Sequence, residues 1–212
     1  MRYAAVDERD LIEASRSTID YYDGQALPFW EGTRDHDVSQ NIGALLESIP
    51  GPGPHRILDF GCGPGRDLAT FKALGHEPVG LEGSPNFCEM ARAYSGAAVL
   101  NQDFLSLDLE AESFDGVFCN ATIFHVPTAA LPRVLAELYA ALKPGGSFFS
   151  SNPRGDNIEG WNGPRYSSYH DLDAWTQFMK TAGFQKLGHY FRPAGLPRDQ
   201  QPWLASTWRK PE

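Results

Sequence analysis

A change of texture at Ile49–Arg56 (IPGPGPHR) restricts this chain most, because Pro and Gly there cut off one kind of pattern and open another. Before it, Val38, Ile42, Leu45, Leu46 and Ile49 recur on one helical face. After it, short apolar runs alternate with stretches of helical period. The runs are Ile57–Phe60, Val79–Leu81, Ala97–Leu100, Val117–Cys119 and Phe148–Ser151. Helices are expected over Arg66–Leu74, Asn86–Tyr94 and Leu131–Leu142. The last puts Leu131, Val134, Leu135, Leu138 and Leu142 on one side and should break at Lys143-Pro144-Gly145-Gly146. Continuously apolar strands, each followed by a helix, imply a parallel sheet covered on both faces. A further helix over Leu172–Ala182 ends at Gly183, and the runs Phe184–Phe191 and Trp203–Trp208 can pair antiparallel across a Pro-rich loop. The expectation is an α/β fold: a doubly wound, seven-stranded sheet, mostly parallel with an antiparallel C-terminal strand, plus an N-terminal helical lid. The 212 residues read as one domain, 1–212, with a helical extension over 1–50 and an α/β core over 55–212.

Composition narrows the partners. Acidic side chains outnumber basic ones, 27 to 18, for a formal charge of −9, which works against broad binding to phosphate backbones. Cys62, Cys88 and Cys119 are too few and too odd in number for a disulfide framework, so a reducing cytoplasm is expected. The first twenty residues mix charge throughout and show no apolar core of a secretory signal. No uncharged run approaches the roughly 18 apolar residues of a spanning helix. A cytoplasmic protein is expected, acting on a small molecule and with no nucleic-acid or membrane partner. Asp35-His36-Asp37 has no supporting His/Cys spacing, so no metal is expected, and Asp35 reads instead as a helix cap.

The segment Arg56-Ile-Leu-Asp-Phe-Gly-Cys-Gly-Pro-Gly-Arg-Asp67 is the most informative about chemistry. A strand runs into Asp59, and Gly61, Gly63 and Gly65 let the backbone turn tightly and approach a ligand without Cβ obstruction. Open α/β sheets bind ligands at the carboxyl ends of their strands, where strand order reverses. The third glycine of a dinucleotide fingerprint is replaced by Arg66, and no G-K-[ST] follows as in a P-loop. Glu82 ends the second run, Asp103-Phe104 follows the third, and Asn120-Ala-Thr-Ile-Phe-His-Val-Pro127 closes the fourth. Each acid alone is an ordinary solvated strand end; four such positions in order are not easily accidental. The pattern resembles motif I and its sequels in class I methyltransferases that use S-adenosylmethionine, over roughly Ile57–Phe191.

That resemblance implies a Rossmann-like sheet and a cofactor site of Asp59, Gly61, Gly63, Arg66, Glu82, Gly83, Ser84, Asp103, Phe104, Asn120 and Phe124. A carboxylate at Glu82 can accept from both ribose hydroxyls. Either Arg34 or Arg66 is available for the cofactor carboxylate. The acceptor must be read from the flanks, Tyr21–Asn41 and Ser151–His170, which come off the strand ends as a lid and a wall. A pocket of Arg34, Asn152, Arg154, Asn157, Tyr166, Tyr169 and His170 would suit a small polar acceptor.

Three stretches are narrower still: FWEGTRDHDVSQN (Phe29–Asn41), SNPRGDNIEGWNGPRY (Ser151–Tyr166) and GLPRDQQPWLASTWRK (Gly195–Lys210). They resemble the methyltransferase of ovothiol biosynthesis, which methylates an imidazole nitrogen of 5-thiohistidine and often follows a 5-histidylcysteine sulfoxide synthase. No iron-binding synthase precedes it in this sequence, so a stand-alone version is expected. A neutral ring nitrogen needs orientation more than a strong base, which points to Tyr22, Asn120 and Tyr166 as catalytic candidates. His125 is either an acid–base group or a buried structural histidine. Cys62 fills a tight turn, with no activating base identified. The alternatives are a methyltransferase of another small acceptor and a non-catalytic module that only binds the cofactor.

Overall fold

The computed structural model describes residues 7–212; residues 1–6, part of the expected N-terminal extension, lie outside the described residues. Three helices come first: α1 (Glu8–Gly24), α2 (Ala26–Thr33) and α3 (Ser39–Ser48). Strand and helix then alternate as β1 (Arg56–Phe60), α4 (Arg66–Ala73), β2 (Glu77–Glu82), α5 (Pro85–Ser95), β3 (Ala98–Asn101), β4 (Phe114–Asn120), α6 (Leu131–Ala141) and β5 (Leu142–Pro153). A hairpin of β6 (Ile158–Asn162) and β7 (Arg165–Tyr169) precedes α7 (Leu172–Thr181), β8 (Gln185–Arg192) and β9 (Trp203–Arg209).

The main sheet has seven strands in the order β3-β2-β1-β4-β5-β9-β8. β9 runs antiparallel to both neighbours and the other pairs are parallel, which is the expected Rossmann-like architecture. Strand order reverses between β1 and β4, so their carboxyl ends flank the crevice where such sheets take ligands. Side chains alternate across the sheet because successive residues point to opposite faces. Val117 and Cys119 of β4 meet Leu131, Val134, Leu135 and Leu138 of α6 together with Trp175 and Met179 of α7. Phe118 turns the other way, onto Ile42 and Leu45 of α3, Phe71 of α4 and Phe149 of β5. Burial on both sides explains why these strands read as continuous apolar runs.

Helix ends follow local chemistry. Ser84 Oγ accepts from Phe87 N at 3.0 Å and Pro85 stands at the first position of α5, which stops at the left-handed Gly96. Asp171 Oδ1 accepts from Ala174 N at 2.7 Å to start α7.

Three local expectations change. Lys143-Pro144-Gly145-Gly146 does end α6, but it lies within the span of β5 as an irregularity, with Gly145 at φ +75°, where a register shift takes the pairing from Phe114↔Leu142 to Gly116↔Ser147. Asp35 caps nothing: it is exposed beside Arg34, while Asp37 Oδ1 accepts from Ser39 N at 2.9 Å, because α3 begins two residues beyond Asp37. The flank Ser151–His170 is not an irregular wall but holds a two-stranded hairpin, turned at Asn162-Gly163-Pro164 with Gly163 at φ +60°. Asn-Gly is a strong hairpin signal, and it was present in the sequence.

Candidate active site

The cofactor side is made of backbone. β1 is followed by Gly61 (φ +75°), where a Cβ would stand 2.5 Å from Thr122 Cγ2. At Gly65 (φ +95°) a Cβ would stand 2.7 Å from the Ala91 backbone. The loop therefore needs glycine for both conformation and space. Glu82 at the end of β2 holds it: Oε2 accepts from Gly63 N at 3.0 Å and Oε1 from Ser84 N at 2.9 Å. Burial pushes the Glu82 carboxyl up, and the backbone N–H groups of Ser84, Gly63 and Gly83 pull it back toward the charged form. Each oxygen keeps a further lone pair for a ligand.

Asp59 lies beneath the loop, 2% exposed, with Oδ2 unpartnered among the described residues. Burial first, then Asp67, raises its carboxyl well above the usual range, with Arg66 opposing. Glu82 lines one cavity and Asp67 a second, which meet at Gly61 and Gly63, and that acidic lining suits a cationic sulfonium cofactor. Phe104 stacks on Phe60 with centroids 4.2 Å apart, giving the cavity an apolar shelf. Asp103 sits beside it, its Oδ1 accepting from Ser15 Oγ of α1 at 2.6 Å and from Leu105 N at 2.8 Å.

The cavity over these elements measures about 490 Å³ and is roofed by Ser15, Thr18, Ile19 and Tyr22 of α1, so the N-terminal helix does overlie the strand ends. Glu82, Gly83, Phe104 and Phe124 line it. A second chamber of about 780 Å³ shares Gly61, Gly63 and Thr122 with it and extends toward Arg66, Asp67 and Asn120. Other expected cofactor residues are engaged within the protein. Ser84 caps α5 and donates to Asp23 Oδ1 at 2.7 Å. Arg66 forks onto Asp67 at 2.7 and 3.0 Å and donates to Thr33 O at 2.8 Å. Asn120 joins that network, donating to Asp67 Oδ2 at 3.2 Å and accepting from Asn41 Nδ2 at 2.9 Å.

The other end of the first cavity is made of side chains. Tyr22 Oη stands 2.9 Å from His125 Nε2, and His125 Nδ1 stands 2.7 Å from the Tyr166 carbonyl. A carbonyl only accepts, so Nδ1 carries the proton and Tyr22 donates to Nε2. Burial lowers His125 to about 4, keeping the ring neutral. Burial likewise raises Tyr22, against the pull of Arg165, whose Nη1 donates to its oxygen at 3.3 Å. His125 is thus buried and at the cavity wall at once.

The expected acceptor residues divide. Tyr169 lines this cavity. Tyr166 does not: its ring meets Trp161 edge-on at 5.5 Å on the opposite side of the hairpin. On a strand, residues three apart face opposite ways, so Tyr166 and Tyr169 cannot share a wall; Arg165, Ser167 and Tyr169 do. His170 and Asn152 enclose a separate space of about 10 Å³. Arg154 donates to Gln201 O at 2.7 Å and to Arg198 O, tying β5 to the tail loop. Asn157 donates to Asp171 Oδ2 at 2.7 Å, and Arg34 is exposed beside Asp35. Sequence reasoning missed Arg165, Ser167, Asn162 and Trp203 as lining residues. Reading Asn162-Gly163 as a turn would have set the alternation and found Arg165.

Fold and cradle together are similar to those of class I methyltransferases that use S-adenosylmethionine. Residues 57–146 match a family model described as a methyltransferase domain. The sterol 24-C-methyltransferase of Candida albicans is 33% identical over 138 residues, 60% of this chain and 34% of that protein. The chain thus spans about a third of the length of such curated relatives. Among solved structures, the Burkholderia thailandensis 1,6-didemethyltoxoflavin-N1-methyltransferase, with 1,6-didemethyltoxoflavin and S-adenosylhomocysteine bound, has a TM-score of 0.74 at 23% identity, covering 100% of this chain and 93% of that one. The [4+2]-cyclase SpnF has a TM-score of 0.72 at 17% identity, covering 93% and 97%. Among the described residues no helix is long and apolar enough to cross a membrane.

Proposed function

We propose that this protein transfers a methyl group from S-adenosylmethionine to a small, polar, ring-containing acceptor, and that the acceptor is the imidazole of 5-thiohistidine, methylated on nitrogen as in ovothiol biosynthesis. The observation that carries the reading is the joint cavity: the Glu82–glycine cradle forms one end and the Tyr22–His125–Arg165 group the other, under the same helix α1. The three resembling stretches support the acceptor, and so does the fold neighbour whose name places its methylation on a ring nitrogen. We read the chain as one domain working in the cytoplasm without nucleic acid or membrane.

When bound, S-adenosylmethionine supplies an electrophilic methyl on a sulfonium. The chain's own residues do the rest. Glu82 and the glycine loop fix the adenosyl end, Phe104 offers the flat apolar shelf, and Glu82, drawn toward its charged form by backbone N–H groups, balances positive charge. Tyr22 is the orienting group at the acceptor end, because its hydroxyl hydrogen is committed to His125 and its oxygen is available to accept a ring N–H. Neutral His125 holds Tyr22 in that direction. Alignment of this kind can contribute roughly 7–11 kcal/mol to such a displacement. Tyr166 and Asn120 act from outside this contact: the Tyr166 carbonyl sets the His125 tautomer, and Asn120 secures Asp67.

The test is transfer of labelled methyl from S-adenosylmethionine to a panel of 5-thiohistidine, histidine, other imidazoles and simple thiols. Labelled N-methyl-5-thiohistidine is the expected product. Label on another acceptor alone would correct the substrate, and no label on any acceptor would favour a module that only binds the cofactor.

A further inference from the structure

Arg165 is the one Lys or Arg among the described residues that line the 490 Å³ cavity, and among the described residues it makes no ion pair with a carboxylate. The groups that face it are Tyr21, Tyr22 and Tyr169. Its guanidinium carbon lies 5.1 Å from the Tyr21 ring centre and 5.9 Å from that of Tyr22, and Nη1 donates to Tyr22 Oη at 3.3 Å. Nε is buried and makes no hydrogen bond among the described residues. Among the described residues the carboxylate lining the cavity is Glu82, at the cradle, which already accepts two backbone N–H groups.

Its placement is built, not incidental. Arg165 opens β7 directly after the Asn162-Gly163-Pro164 turn, opposite Asn162 in register. Both sequence neighbours are tied to α1: Ser17 Oγ donates to Pro164 O at 2.8 Å, and Tyr166 N donates to Thr18 Oγ1 at 2.9 Å. The backbone that carries Arg165 is therefore fixed to the cavity roof on either side of it. A buried, unpaired donor beside a cavity in a chain of net charge −9 is costly unless a ligand meets it.

Building on the proposed function, we infer that Arg165 recognises a carboxylate on the methyl acceptor and so restricts the substrate to amino-acid-like or other carboxylated ring compounds. A guanidinium presents a planar fork of donors that matches a carboxylate in two parallel hydrogen bonds. Stacking against Tyr21 and Tyr22 holds that fork in plane while Nη1 shares Tyr22 with His125. The acceptor is anchored by its anionic end, and its ring falls under the Tyr22 hydroxyl.

The test is calorimetric, on the full chain loaded with S-adenosylhomocysteine. The probes are 5-thiohistidine and histidine, each with its decarboxylated counterpart, 5-thiohistamine and histamine. The carboxylated member of at least one pair should bind about tenfold or more tightly than its counterpart. Arg165→Gln should erase that difference, Arg165→Lys should restore part of it, and both should keep the affinity for S-adenosylhomocysteine, which reports an intact fold. Equal binding within both pairs, no binding of either carboxylated probe, or unchanged discrimination in Arg165→Gln would overturn the inference. Loss of the methyltransferase reading has a different signature: the wild-type chain would not bind S-adenosylhomocysteine at all.

Discussion

The two ends of the cavity are built by different means. At the cradle, the recognition surface is main chain: Gly61, Gly63 and Gly65 in left-handed conformations, tied by Glu82 across the ends of β1 and β2. At the acceptor end it is side chain: Tyr22 from α1, His125 from the turn after β4, Arg165 and Tyr169 from a hairpin inserted after β5. A backbone surface is set by the sheet and changes little with sequence. A side-chain surface on a helix and a hairpin can be rewritten residue by residue while the sheet stays the same. In the proposed function the cradle therefore serves the cofactor and the acceptor end sets the substrate.

The division can be broken from either side. The largest effect belongs to the cradle: Glu82→Ala removes the acceptor of two backbone N–H bonds and the carboxylate offered to the ribose, so calorimetry should show affinity for S-adenosylhomocysteine falling by about 100-fold or more. Unchanged affinity would remove Glu82 from the cofactor site.

At the acceptor end, pH reports on the buried histidine. His125 is lowered to about 4 in the fold against 6.5 when free, so the unfolded chain takes up the proton first as pH falls. The contribution is complete above about 6.5 and drains away as pH drops toward about 4. Urea unfolding should show the wild type losing about 2 kcal/mol more than His125→Gln between pH 7 and pH 5. Equal losses would mean that His125 is not held neutral.

Tyr22→Phe should separate the two ends: methyl transfer measured as kcat/KM falls by about tenfold or more, while affinity for S-adenosylhomocysteine stays within about twofold. A matching fall in both would mean that the ends are not independent. The smallest effect is expected at Tyr166→Phe, whose ring faces away from the cavity. Its kcat/KM should stay within about twofold, because only the main chain of Tyr166 touches His125.

The same contrast explains what could be read in advance. The strand–helix alternation, the glycine loop, Glu82 and the Phe104 shelf were legible because backbone demands leave local marks: a glycine where φ is positive, an acid where a strand ends. The acceptor end was only partly legible. Tyr22 and Tyr169 stand out by composition, but Tyr166 groups with them when the hairpin is taken as loop, which imposes no alternation, and Asn152, Arg154 and His170 beside the hairpin carry no local mark of the side they face. Arg66 shows the complementary difficulty. Its position beside the loop is local and readable, but its engagement with Asp67 and with the Thr33 carbonyl depends on α2 and α4 meeting in space. The sequence leaves His125 as an acid–base group or a structural histidine, and the structure joins the two: a buried ring whose tautomer is fixed by one carbonyl and whose other nitrogen aims a tyrosine.

The most direct measurement is a crystal structure with S-adenosylhomocysteine. The account predicts both ribose hydroxyls within hydrogen-bonding distance of the Glu82 oxygens, the adenine against Phe104, and the sulfur facing the space below Tyr22. The ligand lodged outside the Gly61–Gly65 cradle, or Glu82 turned away from the ribose, would contradict it.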